Sequence, residues 1–256
     1  MPFTDRSDGT IFYVKKDTTR LFRFSTARAS TPKDPAVAEL LWGDRVRLEL
    51  NRDGSIREEN GRARARARGR FGWIDRAHLG TRPLLELYFI DVGQGDGVLI
   101  RTPNGRHILI DGGYPRQSQP TGKNAADFVD WKFVKDYESP DKAIELDAMI
   151  CTHNDHDHYG GLGDLLDPDQ RQGGAQVELD AAQVFVDRFY HAGLSWWKTA
   201  TDSRTLGSTA STTMGRMQTL LLGDRDSLVA GLASGALPRL QGYWGDFLEK
   251  VRDAKT

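Results

Sequence analysis

The sequence predicts two modules: a small all-β barrel over residues 1–83 and an α/β domain over residues 84–256. Three observations carry this. Residues 1–83 hold short β-prone runs separated by turn formers, with no long helical pattern. Residues 85–101 read as strand, glycine-rich turn and strand, and residues 105–113 as a further strand ending in aspartate and two glycines. Residues 146–151 are another apolar run, ending in a histidine- and aspartate-bearing loop, and apolar residues at helical spacing follow.

A chain of 256 residues can bury a real core in one large or two modest domains. Its 38% hydrophobic and 28% charged content is that of an ordinary globular protein rather than a disordered or fibrous one. One cysteine excludes an internal disulfide and agrees with a reducing compartment. Residues 1–6 lack a basic lead into an apolar core, and no run approaches the ~20 apolar residues of a membrane span. The expectation is a cytoplasmic protein with no membrane partner. The net charge of −1 is unevenly spread: residues 1–83 carry 18 Lys and Arg against 11 Asp and Glu, and residues 84–256 carry 17 against 25. A basic module beside an acidic one fits either nucleic-acid contact or docking on a neighbour.

In chain order, residues 10–14, 21–24, 46–50 and 69–74 are the first strands, with turns at Gly43-Asp44 and Asp53-Gly54. Alternation over residues 62–70 puts Arg62, Arg64, Arg66 and Arg68 on one strand face and the alanines on the other. Such a row can track nucleic-acid phosphates. The preferred reading is a charged face that blocks sheet-to-sheet aggregation. His78 and His107 stand alone and read as structural. Pro83 ends the first module. Residues 124–137 fit an amphipathic helix, with Phe128, Trp131, Phe133 and Val134 on its apolar face. Residues 160–166 open a helix whose N-terminus suits an anion. Residues 182–189 are the next buried strand, and Trp196 and Trp197 read as packing residues rather than a base-stacking platform. Apolar residues at 214, 217, 221, 228 and 232 predict a helix with its cap, and residues 243–250 another.

Residues 152–161, T-H-N-D-H-D-H-Y-G-G, set three histidines and two aspartates on one short loop, just after the thiol of Cys151. Imidazole and carboxylate together suit Zn, Mn or Fe, and a merely solvated loop rarely concentrates so many donors. The loop is read as a metal site.

F-I-D-V-G-Q-G-D (89–96), D-G-G (111–113) and H-N-D-H-D-H (153–158) together resemble the opening half of the αββα metallo-β-lactamase fold. The likeness is nearest to the branch found in bacterial DNA-uptake (competence) channel proteins, which has aspartate where most relatives have the second histidine. It covers residues 85–161 closely and residues 162–256 weakly. The resemblance implies that His153, Asp155, Asp157 and His158 hold two divalent ions, Zn or Mn, with His156 outside the set. His153 and Asp155 would serve one ion and Asp157 and His158 the other, and Asp157 would also orient the attacking hydroxide. Asp111 is expected to brace the ligand loop, and Asp91 and Asp96 to fix the turn beneath it. His191 and Asp224 are the weaker candidates for later ligands. No histidine follows His191, so the second half of the fold and its last ligand are missing from the pattern. The expectation is that a longer chain or a partner protein completes the site. The implied activity is metal-dependent hydrolysis, as a phosphodiesterase or nuclease acting on nucleic acid in DNA processing or antiviral defence. The competing expectation is a non-catalytic scaffold with a partial metal site. W-G-D-R-V (42–46) and G-R-F-G-W-I-D-R-A-H-L (69–79) resemble a bacterial SH3-like domain, which implies a partner-binding module.

Overall fold

The structure, a computed structural model, describes residues 10–25 and 35–255, so the reading of residues 1–6 lies outside the described residues. The chain divides into two units. Met1–Glu86, Arg101–Arg106 and Lys132–Ser139 form the first; Leu87–Ile100, His107–Trp131 and Pro140–Thr256 form the second.

The first unit is antiparallel β-structure. Its strands are β1 (Ile11–Val14), β2 (Thr18–Phe22), β3 (Ala36–Leu41), β4 (Arg45–Leu48), β5 (Glu58–Glu59), β6 (Arg62–Ala67), β7 (Arg70–Asp75) and β8 (Leu79–Gly80). They pair in the order β3-β2-β7-β6-β4-β1-β8, with β5 added to β6. The expected strands are present, and β3 joins them from A-V-A-E-L-L, a run the turn signals did not isolate. Leu40 on β3 and Leu79 on β8 share one core with Phe12, Leu21, Val46 and Ile74, so the sheet curls round a common interior. Among the described residues, however, no ladder joins β3 to β8, and the predicted closed barrel is not seen. Side-chain packing brings the two ends onto one core without the backbone bonds that closure requires.

β6 follows its alternation strictly. Ala63, Ala65 and Ala67 are buried in the core, and the arginines between them are half-buried on the other face. Each arginine in the row has a carboxylate. Arg62 Nε meets Asp75 at 3.1 Å, Arg64 meets Glu49 at 3.6 Å, Arg66 pairs with Glu138, and Arg68 meets Asp44 at 2.8 Å. Arg62 also lies over Phe22, and Arg66 over Phe71. The row proposed for phosphates is thus engaged in ion and cation–π pairs within its own unit.

The second unit contains the strands β9 (Glu86–Phe89), β10 (Val98–Arg101), β11 (His107–Ile110), β12 (Ala143–Leu146), β13 (Ala148–Cys151), β14 (Gln183–Val186) and β15 (Phe189–His191), the first residue of β9 and the last of β10 falling in the first unit. Shorter strands follow: β16 (Trp197–Lys198), β17 (Thr209–Thr212), β18 (Gly215–Gln218) and β19 (Arg239–Leu240). Its helices are α1 (Ala125–Trp131), α2 (His156–Leu166), α3 (Arg225–Leu232) and α4 (Gly242–Asp253). The main sheet runs β15-β13-β11-β10-β9, with β11, β13 and β15 parallel. Asp147 breaks the predicted run 146–151 by taking the His107 backbone N–H at 2.8 Å, and a matching break at Asp187 splits the predicted strand 182–189. Consequently β12 pairs with β14 while β13 pairs with β15. Leu162, Leu165 and Leu166 of α2 and Trp244, Phe247 and Leu248 of α4 are buried, and Lys250 reaches Asp167 at the end of α2 at 2.6 Å.

Two helix expectations need correction. The helix expected over residues 124–137 is α only to Trp131, and Lys132–Asp136 continue as a π-helical turn. The helix expected over 214–232 is a hairpin, β17–β18, followed by α3. Six of the eight residues from Ser208 to Gly215 are hydroxyl residues or glycine, where helix propensity is poor, and Gly215 takes φ +116° in the turn. No helix among the described residues is long and apolar enough to cross a membrane.

Candidate metal centre

Parallel strands deliver their functional residues at their carboxyl ends, and here Asp111 directly follows β11 and Thr152 directly follows β13. Asp111 is 1% exposed and adopts φ +54°. Its Oδ1 accepts the Thr152 backbone N–H at 2.8 Å, and its Oδ2 accepts the Thr152 hydroxyl at 2.5 Å and His158 Nδ1–H at 2.9 Å. A carboxylate can only accept, so His158 carries its proton on Nδ1 and presents Nε2 as a free lone pair. The Thr152 hydroxyl, having given its proton to Asp111, accepts from His153 Nδ1 at 3.1 Å, which fixes that ring in the same tautomer.

The structure sets the expected loop ligands in neighbouring pairs. The His153 and His158 rings lie 3.7 Å apart between centroids, His153 Nε2 is 3.8 Å from Asp155, and His158 Nε2 is 3.9 Å from Asp157. His158 is buried, Asp157 is half-buried, and His153 and Asp155 are exposed, so the group opens towards solvent. Asp96 joins it: ligand atoms of Asp96, Asp111 and His158 all lie within 4.8 Å of one another. Sequence reasoning had assigned Asp96 to the turn alone. The signal that could have found it is its place after V-G-Q-G, since Gly95 at φ +99° sits so close to the start of α2 that a Cβ there would meet the Asp157 carbonyl oxygen at 1.8 Å. Asp91 does hold its own turn, accepting the Gly93 N–H at 3.1 Å. Among the described residues, no lysine or arginine pairs with Asp96, Asp111, Asp155 or Asp157.

Other expected residues are placed elsewhere. His156 begins α2 facing Tyr114, Tyr159 and Tyr243, stacked on the last at 5.0 Å; burial lowers its pKa, with Asp164 and Asp157 opposing. His191 pairs in register with Cys151, but its Nδ1 accepts the Gly193 N–H at 3.1 Å. Desolvation lowers its pKa as well. Asp224, the other late candidate, is exposed and caps α3, accepting the Ser227 N–H at 2.8 Å in a capping box. The two line a separate cavity with Leu222, Leu228 and Leu248. The Cys151 thiol is fully buried, donates to the His153 carbonyl at 3.0 Å, and is pushed up in pKa by desolvation. It braces the loop as a neutral group and is no thiolate donor.

The loop is positioned by backbone against backbone. Gly112 N–H donates to the His158 carbonyl at 2.7 Å, and Gly161 N–H to the Gly113 carbonyl at 2.9 Å. A Cβ on Gly161 would stand 2.0 Å from the Gly112 oxygen, so glycine alone allows this approach. Beneath α2, buried Asp164 accepts Arg116 N–H at 2.6 Å, Asn124 Nδ2 at 2.7 Å and Gln170 Nε2 at 2.9 Å. The donor set fits a divalent cation: two imidazoles held with Nε2 free, and carboxylates without a basic partner.

Residues 90–169 match the family model of the metallo-beta-lactamase superfamily, a stretch that spans Asp96, Asp111 and the whole ligand loop. No curated protein and no solved structure matches the chain.

Proposed function

We propose that the metallo-β-lactamase superfamily domain at residues 90–169 acts as a metal-dependent phosphodiesterase on nucleic acid. One observation carries the reading: ligand atoms of Asp96, Asp111 and the oriented His158 imidazole lie within 4.8 Å of one another beside Asp157, and among the described residues no lysine or arginine pairs with these carboxylates. Uncompensated like charge at such spacing is unfavourable, and a divalent cation removes that cost. When bound, such an ion polarises a phosphoryl oxygen and brings the pKa of a coordinated water near 7.

In this account His153, Asp155, Asp157, His158 and Asp96 are the donors. Asp111, with three hydrogen bonds already accepted, is the positioning residue that holds the tautomer of His158. Asp157, 3.9 Å from His158 Nε2, orients the attacking oxygen. The carboxylate-rich set favours Mn over Zn. Phosphate esters suit the site because the charge that builds on their oxygens in the transition state is what a cation stabilises best. A partner chain supplying later donors belongs to the same reading, because His191 and Asp224 are otherwise engaged.

Chelator-stripped protein is expected to cleave neither bis-p-nitrophenyl phosphate nor single-stranded DNA, and to recover both activities on addition of Mn. Cleavage that persists in excess chelator refutes the metal-dependent mechanism. A chain that stays inactive at every metal concentration supports the scaffold alternative.

A further inference from the structure

A cavity of about 420 Å³ opens directly beside the ligand loop. It falls within the range of roughly 300–1,000 Å³ usual for ligand pockets. Asp155, paired with His153 at 3.8 Å, also belongs to its wall, so the cavity adjoins the ligand loop. The rest of the wall comes from far along the chain: Trp196 and Arg204 from the segment around β16, and Tyr243 and Trp244 from the start of α4.

Two features of this wall look for an occupant. The first is aromatic surface. Tyr243 lies parallel to His156, with rings 2° from coplanar, yet its side chain is 70% exposed, so its outer face is free. Trp196 carries the Arg204 guanidinium 4.1 Å above its ring, leaving a flat, cation-backed surface. The second is a surplus of donors. Trp244 is 2% exposed and its indole N–H has no hydrogen-bond partner, and Asn154 Nδ2 is likewise buried and unpartnered. Arg204 has no carboxylate partner among the described residues. Buried donors without acceptors are destabilising, a cost that an acceptor-rich ligand removes.

From flat π surface, unmet donors and a charged guanidinium next to the metal loop, we infer that this cavity is a nucleotide subsite. A base stacks on Trp196 and Tyr243, its ring acceptors meet Trp244 and Asn154, and Arg204 draws its phosphate towards Asp155 and the centre beyond. The inference rests on the phosphodiesterase reading and names the unit of substrate that flanks the scissile bond. It also changes the role expected for Trp196 from packing to recognition, whereas Trp197, 3% exposed, remains a packing residue.

The test uses the full chain with metal removed by chelator, adenosine 5′-monophosphate as probe, and tryptophan fluorescence as readout. Saturable quenching is expected, with ribose 5-phosphate and inorganic phosphate binding at least tenfold more weakly. Trp196→Ala is expected to weaken binding roughly ten- to a hundredfold and Trp196→Phe to restore most of it. Arg204→Gln alters an exposed side chain and so keeps the fold; it is expected to weaken the nucleotide about tenfold. Equal binding of the nucleotide and ribose 5-phosphate overturns the inference, as does wild-type affinity in Arg204→Gln. Because no metal is present, loss of nucleotide binding alongside intact Mn-dependent cleavage removes the subsite and leaves the hydrolase. Nucleotide binding without cleavage does the reverse.

Discussion

Asp157→Ala is expected to reduce Mn-dependent phosphodiester cleavage by at least about a hundredfold while leaving the protein folded. Among the described residues its carboxylate accepts no hydrogen bond, and it stands 3.9 Å from His158 Nε2. Removing it costs the first turn of α2 a favourable dipole interaction of about 0.5 kcal/mol and little else. The bonds from Asp111 to Thr152 and His158 survive, so the loop keeps its shape and the remaining imidazoles their tautomers. His158→Ala makes the complementary case. It removes a donor and also strips Asp111 Oδ2 of its imidazole partner inside the protein, so activity and stability should fall together, the latter by about 1–3 kcal/mol. Steady-state kinetics beside thermal melts separate the two variants. A folded Asp157→Ala protein that cleaves at the wild-type rate removes Asp157 from the chemistry.

Gly161→Ala is expected to be among the most damaging single changes in the chain, costing about 3 kcal/mol or more. Its Cβ would lie 2.0 Å from the Gly112 oxygen and 2.7 Å from the Gly112 carbon, both backbone atoms that cannot rotate away. The strand end that carries Asp111 would have to part from α2, and the Gly161 to Gly113 bond would go with it. Gly163→Ala, two residues along the same helix, is expected to behave in the opposite way. The added methyl meets only Phe247 Cδ2, at an ordinary 3.5 Å, and alanine gains up to about 1 kcal/mol of helix propensity. Denaturant titrations of both variants check the contrast. Equal stability of the two would show that the backbone junction is not what holds the loop.

The candidate metal loop stood out in the sequence because it is local: donor identity, the preceding apolar strand and the glycine pair all sit within sixteen residues. D-G-G was legible for the same reason. What sequence spacing could not show was anything made by distant segments. Asp96 reaches the centre only because the V-G-Q-G turn packs on α2. The arginine alternation was read correctly as one strand face, but Glu138, which answers Arg66, lies 72 positions away and gives no local sign. Helix α2 begins at His156 rather than Gly160, because Asp155 is extended and lets three metal-type residues occupy the first turn. At Met214 and Met217 the apolar spacing matched a helix by coincidence, and the small hydroxyl residues just before them, which the periodicity ignores, decided for a hairpin. The barrel reading failed at closure, since strand signals identify strands but not which edges meet.

Titration of chelator-stripped protein with Mn, followed by calorimetry, tests the central claim most directly. Saturable binding is expected in the wild type, and at least about tenfold weaker binding in Asp111→Asn, which keeps the shape of the side chain but weakens its hold on His158 Nδ1 and on Thr152. No heat of binding for Mn or Zn, or identical affinities in the wild type and Asp111→Asn, would contradict a cation held by this loop.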